Sequence, residues 1–153
     1  MRQLQLDDTP GYLVRRLYSA YADLWREQVG VELTGPQFSL LHEVRDAPGV
    51  DQITLAQRIA VDRSTMADMA TRLERRGLIS RRPGAEDGRK KIIALTAEGR
   101  QVLTIAEAAV VTLSDGLLDA IPADQRAVVL HALRVLAADW EGRRRAPVAV
   151  SAM

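Results

Sequence analysis

The segment DRSTMADMATRLERRG, residues 62–77, combines an apolar stripe with small polar and basic side chains. Side chains at helical spacing share one face, which here consists of Met66, Met69, Ala70 and Leu73. A helix that reads base edges in a major groove must bury one such face and present polar side chains from its first two turns. The segment therefore predicts a recognition helix that begins after Asp62 as its N-cap.

The opposite face of this predicted helix carries the candidate contacts with DNA. They are Arg63, Ser64 and Asp68 and, at the borders of the face, Thr65 and Arg72. Hydroxyls in the first turn and the helix N-terminus suit phosphate groups. The alternative interpretation is that Ser64 and Thr65 only support the cap and that the arginines only keep an exposed face soluble.

A basic turn follows the recognition helix. Gly77 suits the end of that helix, and two β-type runs, GLISRR and KIIALT, flank the polar sequence PGAEDGRK. The pattern predicts a β-hairpin, or wing, with an apolar set of Leu78, Ile79, Ile92, Ile93 and Leu95. The basic residues of the wing are Arg81, Arg82, Arg89, Lys90 and Lys91.

Arg89 is the predicted minor-groove contact, because an arginine at a hairpin tip can enter the narrow groove, where the negative potential is strongest. Asp87 lies two residues earlier and is predicted to orient that guanidinium. The alternative for both residues is a solvated charge in a turn. Lys90 in the wing and Thr54 ahead of the recognition helix complete the predicted DNA-binding set.

Further helices must position these groups. The segment ITLAQRIAV predicts a short helix capped by Thr54, and its tight connection to the helix at Asp62 predicts a helix-turn-helix. The other predicted helices begin at Pro10, after the cap Thr34, at Thr96 and at Pro122. The stripes expected to be buried in the last two are Val102, Ile105, Ala109, Thr112, Leu113 and Leu117, and Val128, Val129, Leu133, Leu136 and Trp140. The predicted fold is mainly α, with about six helices and a small β-hairpin wing.

Charge and composition narrow the function. The chain of 153 residues has a formal charge of +1, yet residues 58–91 hold 10 Arg and Lys against 5 Asp and Glu. There is no cysteine, and His42 and His131 lack metal-type spacing. With no phosphate-binding glycine motif either, we expect no enzymatic activity, no catalytic residue, no metal and no cofactor. Because there is neither a signal peptide pattern nor an apolar run of spanning length, we expect a cytoplasmic protein.

Four segments in order, LTGPQFSLLHEV, DRSTMADMATRLERRGLISRR, EDGRKK and LTAEGRQVL, resemble the MarR family, and the resemblance covers residues 10–141. It implies a dimer with intertwined first and last helices, a central DNA-binding lobe, a palindromic operator and a small-molecule pocket between the lobes. The family's DNA contacts carry over onto Ser64, Thr65, Arg72, Asp87 and Arg89. Asp68 departs from the family pattern, in which many members have a basic or neutral groove-reading residue here. An acid at this position either accepts from a cytosine amino group or points away, so the base specificity is left open.

Dimerisation is also expected from the helices themselves. The predicted dimerisation helices span residues 1–33 and 97–145, around a DNA-binding lobe of residues 34–96, and residues 146–153 are expected to form a flexible tail. The terminal helices carry more apolar stripe than the central lobe can cover, and two intertwined chains would bury the surplus. The alternative is a bundle within one chain.

The first predicted helix concentrates aromatic residues, with all three tyrosines of the chain and one of its two tryptophans. Arg15 lies at the border of the apolar face with no acid on its side, whereas Arg16 shares a face with acidic residues. A guanidinium beside aromatic rings suits an aromatic carboxylate, which it can bind bidentately.

The segment TPGYLVRRLYSAYADLW also resembles the first helix of MarR regulators that respond to protocatechuate or hydroxybenzoate, which use an arginine here. The predicted effector set is Arg15 for the carboxylate, Tyr12 or Tyr21 for a ring hydroxyl, Trp25 and Phe38 as walls, and His42 as a lining residue. The alternative is that Tyr18, Tyr21 and Trp25 form dimer core and that Arg15 pairs with the partner chain.

Together these patterns predict a dimeric transcriptional repressor that binds palindromic double-stranded DNA and is released by a small aromatic carboxylate. The expected partners are DNA, a second copy of the chain and the aromatic acid, and no membrane. A ligand-independent DNA-binding regulator or an activator is the alternative, because the sequence predicts a DNA-binding device without fixing the sign of its output.

Overall fold

The computed structural model describes residues 5–30, 32–85 and 87–145, and this part of the chain folds into six α-helices and one two-stranded antiparallel sheet. The helices are α1 (Pro10–Gln28), α2 (Gly35–Asp46), α3 (Gln52–Arg58), α4 (Arg63–Arg75), α5 (Ala97–Gly116) and α6 (Ala123–Arg145). The strands β1 (Ile79–Pro83) and β2 (Lys91–Leu95) lie between α4 and α5. The predicted winged helix-turn-helix is confirmed, and the predicted tail, residues 146–153, lies outside the described residues.

The chain divides into two compact units, Met1–Leu113 and Ser114–Met153. The first unit contains the helix-turn-helix, the wing and α1. The second contains α6 and the turn that precedes it. No helix in the described ranges is both long enough and apolar enough to cross a membrane.

Both helices of the helix-turn-helix begin with an aspartate that is followed three residues later by a threonine. At α4, Asp62 is the N-cap as predicted, and its carboxylate accepts from Thr65 N at 2.8 Å. At α3, the cap is Asp51, which accepts from the backbone N–H groups of Ile53 and Thr54. The prediction that Thr54 caps α3 was therefore wrong, because a carboxylate at Asp51 can satisfy two of the free N–H groups at the helix start.

The core of the first unit forms where α2, α3 and α4 pack against the hairpin and α5. The inward stripe predicted for α4 is confirmed, since Met66, Met69, Ala70 and Leu73 are all buried. Fully buried side chains from six successive parts of the chain meet here: Leu33, Leu40, Leu41, Leu55, Met66, Leu73, Ile93 and Leu103. This core fixes the backbone of α4 from behind and leaves its polar face outward.

The hairpin holds a simple register, in which Ile79 pairs with Leu95 and Pro83 with Lys91. An isolated bridge between Asp51 and Ile92 adds the residue that caps α3 to the open edge of β2. The wing is thereby connected to both helices of the helix-turn-helix, directly to α3 and through Gly77 to α4.

The start of α5 is locked onto the end of α4. The Thr96 hydroxyl donates to the Gly77 carbonyl at 2.6 Å and accepts from Gly99 N at 2.9 Å. Gly99 lies so close to the start of the hairpin that an added Cβ would stand 1.9 Å from the carbonyl oxygen of Leu78. Only glycine fits this contact without a shift of backbone against backbone.

The buried faces predicted for the last two helices differ from those observed. In α5 the buried residues are Gly99, Leu103, Ala106 and Leu113. The predicted stripe is thus confirmed at Leu113, with Val102 packed against the core, and was wrong at Ile105 and Leu117, which are exposed. In α6, Leu133, Leu136 and Trp140 are exposed instead of buried, as is Val128 with an exposed fraction of 67%. The physical reason is that the second unit, taken by itself, offers the apolar side chains of α6 no layer to pack against.

We predict that Gly99→Ala destabilises the fold by about 2 kcal/mol or more, because the new methyl group meets a carbonyl that cannot move without opening the joint between α4 and α5. Urea unfolding at fixed protein concentration measures the change. Gly11→Ala is the matched control, since nothing lies within 4 Å of an added Cβ there, and its change should stay within about 1 kcal/mol. Equal stability of the two variants would contradict the close contact.

Candidate DNA interface and effector cavity

The N-terminus of α4 is organised around the carboxylate of Asp62. Besides the bond from Thr65 N, it accepts from the Ser64 hydroxyl at 2.6 Å and from the Thr65 hydroxyl at 2.7 Å. These hydrogen bonds, with that from the Ser64 hydroxyl the strongest influence, hold the pKa of Asp62 well below its usual range. At neutral pH the first turn of the recognition helix is therefore closed by an ionised cap.

This cap limits what the two hydroxyls can do at a DNA surface. Each hydroxyl has one hydrogen, and in Ser64 and Thr65 that hydrogen is given to Asp62. Phosphate oxygens only accept, so neither hydroxyl can donate to a phosphate in this conformation. Both oxygens keep lone pairs that can accept from the amino groups of cytosine or adenine. The hydroxyl of Thr54 is arranged in the same way, donating to Asp51 at 2.9 Å.

The remaining predicted residues of α4 lie on its outward side. Arg63, Asp68 and Arg72 are exposed, as is Arg75 at the end of the helix. Three exposed cations give α4 a surface that suits a polyanion, whereas Asp68 places one negative charge on the same side as Arg72 and Arg75. The exposed carboxylate can meet a cytosine amino group but repels phosphates.

The tip of the wing carries the expected contact between Asp87 and Arg89. Asp87 accepts from the backbone N–H of Arg89 at 3.0 Å and from its Nε at 3.4 Å. The carboxylate restrains the guanidinium on its Nε side, while the Arg89 side chain is 94% exposed and open to solvent. Lys90 is exposed beside it.

One basic residue of the wing has a structural partner. The Arg81 side chain is only 18% exposed, and its guanidinium donates to Glu74 of α4, with Nε at 2.9 Å from the carboxylate oxygen. The pair fixes the first strand of the wing to the recognition helix, and Arg81 holds the pKa of Glu74 below its usual range. Arg81 therefore contributes positioning more than free positive charge.

A cleft of about 690 Å³ lies between the start of α3 and the wing. It brings together three of the predicted DNA-binding residues, Thr54, Asp87 and Lys90, and also contains Asp51 and Arg82. The structure thus groups most of the predicted residues into two places, the outward side of α4 and the cleft between the wing and α3, while Arg89 lies at the exposed tip of the wing.

A second cavity, of about 680 Å³, lies beside α1 within the first unit. Its lining residues are Tyr18, Tyr21, Ala22, Trp25, Arg26, Gly30, Leu33, Thr34, Gly35, Pro36, Phe38, Ser39, Ile59 and Val110. Three of the lining rings lie in series, with centroids 5.8 Å apart for Tyr21 and Trp25 and 5.7 Å apart for Trp25 and Phe38. The ring of His42, outside the lining, follows at 6.0 Å from Phe38. This wall presents ring faces and edges suited to a flat aromatic ligand.

Polar groups at fixed positions interrupt the apolar wall. Trp25 is buried, and its indole N–H donates to the Leu33 carbonyl at 2.7 Å. Burial, and then the neighbouring Tyr18, raises the pKa of the Tyr21 phenol above its usual value. Tyr21 therefore keeps its proton at neutral pH and can donate a hydrogen bond, as can the hydroxyl of Ser39.

The cavity contains three of the six predicted effector residues, Tyr21, Trp25 and Phe38. His42 does not line it, although its ring contacts that of Phe38. The ring nitrogens of His42 lie 3.4 Å from Asp46 and 3.7 Å from Glu107. Flanked by two acids, His42 is better placed to pair with carboxylates of the protein than with one of a ligand.

Tyr12 and Arg15 also lie outside the lining. The Arg15 guanidinium stands over the Tyr12 ring, 5.3 Å from its centroid, and no carboxylate in the described part of the chain pairs with it. Arg16 pairs with Asp7 at 3.4 Å rather than with acids of its own helix. Sequence reasoning missed Arg26 as a lining residue, and its spacing of one helical turn from Ala22 is the signal that could have shown it.

The remaining lining residues missed from the sequence include the polar pair Thr34 and Ser39. Thr34 lies four residues before Phe38 and Ser39 one residue after it, positions that border the same face of α2. No group of three or more potential metal ligands is present among the described residues.

We predict that the cap at Asp62 makes the fold sensitive to acid. The usual pKa of an unfolded aspartate is about 3.9, and the folded value is lower, so the stabilisation is present above that pH and is lost as pH falls below it. Asp62→Asn keeps a capping side chain that does not titrate. Between pH 6 and pH 3 its urea midpoint should fall less than that of the wild type.

Asp68→Asn is the control for this acid sensitivity, because it removes a carboxylate from the same helix outside the cap. Its midpoint should fall as much as that of the wild type over the same pH range. An identical loss in Asp62→Asn and the wild type would show that the cap does not contribute.

Comparison with known proteins places this architecture. Residues 33–91 match the MarR family. The transcriptional repressor NicR of Pseudomonas putida is 30% identical over 137 residues, which are 84% of this chain and 87% of the relative. The crystal structure of the PcaV transcriptional regulator from Streptomyces coelicolor in complex with its natural ligand has 36% identity and a TM-score of 0.85, covering 90% of this chain and 97% of that one.

The transcriptional repressor CouR bound to a 23-mer DNA duplex is also similar, with 30% identity and a TM-score of 0.81 over 89% of this chain and 99% of that one. The fold, the capped recognition helix and the similarity to these relatives all indicate the same family. The chain belongs to the MarR family of transcriptional regulators.

Proposed function

We propose that this protein is a dimeric repressor that binds a palindromic operator and releases it when a small aromatic carboxylate enters the cavity beside α1. The observation that carries the proposal is the location of that cavity. A ring-lined space large enough for a one-ring acid lies in the same compact unit as the recognition helix and the wing.

The apolar residues left exposed support the dimer. They lie along α1, α5 and α6, and those with the largest exposed fractions are Leu17, Tyr18, Ile105, Val111, Val128 and Val135. Exposed apolar patches of this extent mark association surfaces. We assign dimer contacts to the helices within residues 1–33 and 97–145, and DNA contacts to residues 34–96. A bundle within one chain is the alternative arrangement of these helices.

Two separate candidate DNA contacts support the proposal that the protein binds a palindromic operator. The outward face of α4 would enter a major groove with Arg63 and Arg72, with Ser64 and Thr65 accepting from bases or exchanging their bonds with Asp62 for phosphate contacts. Arg89 at the exposed wing tip would reach the adjacent minor groove. A dimer repeats both contacts on half-sites one helical turn apart, which makes the operator palindromic.

The carboxylate of the effector needs a cation, and two arginines compete for this role. Arg26 lines the cavity but is already paired with Asp23. Arg15 lies one helical turn before Tyr18, and stacking on Tyr12 leaves its guanidinium available. We therefore retain Arg15 as the anchor, reached by a rotamer change toward Tyr18, with the ring of the effector between Tyr21, Trp25 and Phe38.

The relatives support the same interpretation. PcaV was crystallised with a natural ligand, CouR with DNA, and NicR is a repressor. A regulator that binds DNA without responding to any ligand, or one that activates, is the competing function, and the ligand experiment below separates it from the proposal.

For DNA binding, we predict that Arg89→Ala weakens affinity by about tenfold at physiological salt and lowers the slope of log Kd against log salt by about 1, because one cation no longer displaces a counterion. The measurement is fluorescence anisotropy with a duplex that the protein selects from a random library. Arg16→Ala, which removes a guanidinium from α1, should leave both values unchanged. A slope equal to that of the wild type would exclude Arg89 from the interface.

For the effector, we predict that 4-hydroxybenzoate quenches Trp25 fluorescence, measured in a Trp140→Phe background so that Trp25 is the reporter. Arg15→Ala should weaken this binding by about tenfold or more, the loss expected for a charge-assisted hydrogen bond, whereas Arg16→Ala should not change it. Cyclohexanecarboxylate controls for the aromatic ring and should bind more weakly than benzoate.

Release of DNA is measured in the same samples. Saturating 4-hydroxybenzoate should weaken DNA binding by at least about fivefold, the lower end of typical allosteric coupling. Unchanged DNA affinity across a panel of hydroxylated benzoates would favour the ligand-independent regulator. An Arg15→Ala variant that binds as tightly as the wild type would remove Arg15 as the anchor.

A further inference from the structure

Two adjacent carbonyl groups in the linker between α1 and α2 face different parts of the molecule. The Leu33 carbonyl accepts from the buried indole N–H of Trp25, which lines the cavity. The preceding carbonyl, that of Glu32, accepts from Nη1 of Arg76, and the Glu32 carboxylate accepts from Nη2 of the same residue at 2.7 Å. One stretch of backbone is thus held on one side by the cavity and on the other by Arg76.

Arg76 stands at the end of the recognition helix. It is the C-cap of α4, and its backbone N–H donates to the Arg72 carbonyl. Gly77 follows in the left-handed conformation and ends the helix, with φ at +71°. The Arg76 side chain therefore joins the last turn of α4 to a linker that is 44 residues away in sequence.

The same linker forms part of the cavity. Gly30, Leu33 and Thr34 all line it, so a ligand that fills the cavity contacts this stretch of the chain. A displacement of the linker reaches Glu32 directly, because the neighbouring carbonyl is fixed to Trp25. The contact with Arg76 then carries that displacement to α4.

We propose that the Glu32–Arg76 contact, here called the linker latch, is the element that transmits effector binding to the recognition helix. Arg76 acts as a positioning residue and touches neither the effector nor the bases. The inference rests on the effector cavity of the proposed function and goes beyond it by naming the residue that couples the cavity to DNA binding.

The geometry of the linker latch also predicts which substitution, Glu32→Gln or Arg76→Gln, reduces the coupling more. Arg76 makes a bidentate contact in which one half goes to a backbone carbonyl and the other to a carboxylate. Glu32→Gln removes only the charge of the second half, whereas Arg76→Gln removes both. The Glu32 side chain is 75% exposed, so the ionic half is weak and the backbone half carries most of the coupling.

A competing route runs through Ile59, which lines the cavity at the end of α3 and lies next to the turn that leads into α4. An apolar side chain can repack around a ligand and absorb a displacement. A bidentate hydrogen-bonded contact has a fixed geometry, so a displacement of one partner moves the other. The two routes give different results when Arg76 is changed, because the route through Ile59 leaves effector release intact.

The test measures one ratio, the DNA Kd with saturating 4-hydroxybenzoate divided by the DNA Kd without it, for full-length wild type, Glu32→Gln, Arg76→Gln and the double variant. We expect the ratio to fall by about two- to fivefold in Arg76→Gln and by less in Glu32→Gln, the range set by a surface ion pair with one additional hydrogen bond. The double variant should match Arg76→Gln, because the two residues act as one contact.

Arg75→Gln is the matched control, since it removes an arginine from the adjacent position at the end of α4. Its DNA affinity can change, but its ratio should equal that of the wild type. Effector Kd and thermal midpoint are measured for every variant, and both should stay near the wild-type values, which separates lost coupling from lost binding or lost folding.

The outcomes separate the two proposals. A wild type that binds no benzoate, or binds without a change in DNA affinity, overturns the proposed function. A wild type that responds while Arg76→Gln keeps the full ratio overturns the linker latch and leaves the proposed function standing. A reduced ratio with unchanged effector Kd supports both.

Discussion

The buried hydrogen bond from the Trp25 indole to the Leu33 carbonyl is the contact on which the arrangement of α1, the linker to α2 and the cavity depends. It holds the end of α1 against the linker to α2, and this arrangement leaves the cavity open between Tyr21, Trp25 and Phe38. The bond cannot be exchanged cheaply for water, because a buried carbonyl that loses its partner costs about 1–3 kcal/mol. Under the proposed linker latch, the cavity, the linker and the recognition helix behave as one mechanical unit.

The caps of the helix-turn-helix show how stability and recognition compete for the same atoms. Asp62 draws the hydroxyl hydrogens of Ser64 and Thr65 into the first turn of α4, which stabilises the helix that reads DNA. The same bonds remove those hydrogens from phosphate contacts. Sequence alone left both interpretations open, and the structure shows the capping geometry while leaving each oxygen free to accept from a base.

Local patterns were predictable where one residue type decides the outcome. The stripe that includes Met66 and Leu73, and the cap at Asp62, follow from spacing and from the carboxylate. The N-cap of α3 could not be predicted in this way, because Thr54 and Asp51 both suit a cap and only the fold shows which one reaches the free N–H groups. The buried face of α5 was predicted only in part, since a long helix with apolar residues on several sides can bury more than one face. Contacts such as Glu32–Arg76 join distant segments and leave no trace in local spacing.

Amide hydrogen exchange of the protein with and without 4-hydroxybenzoate tests this mechanical unit most directly. If the cavity, the linker and α4 move together, the ligand should change exchange both in residues 29–34 and at the C-terminal turn of α4, residues 72–78. A change confined to α1 and α2, in a protein whose DNA affinity still falls on ligand binding, would contradict the connection between cavity and recognition helix.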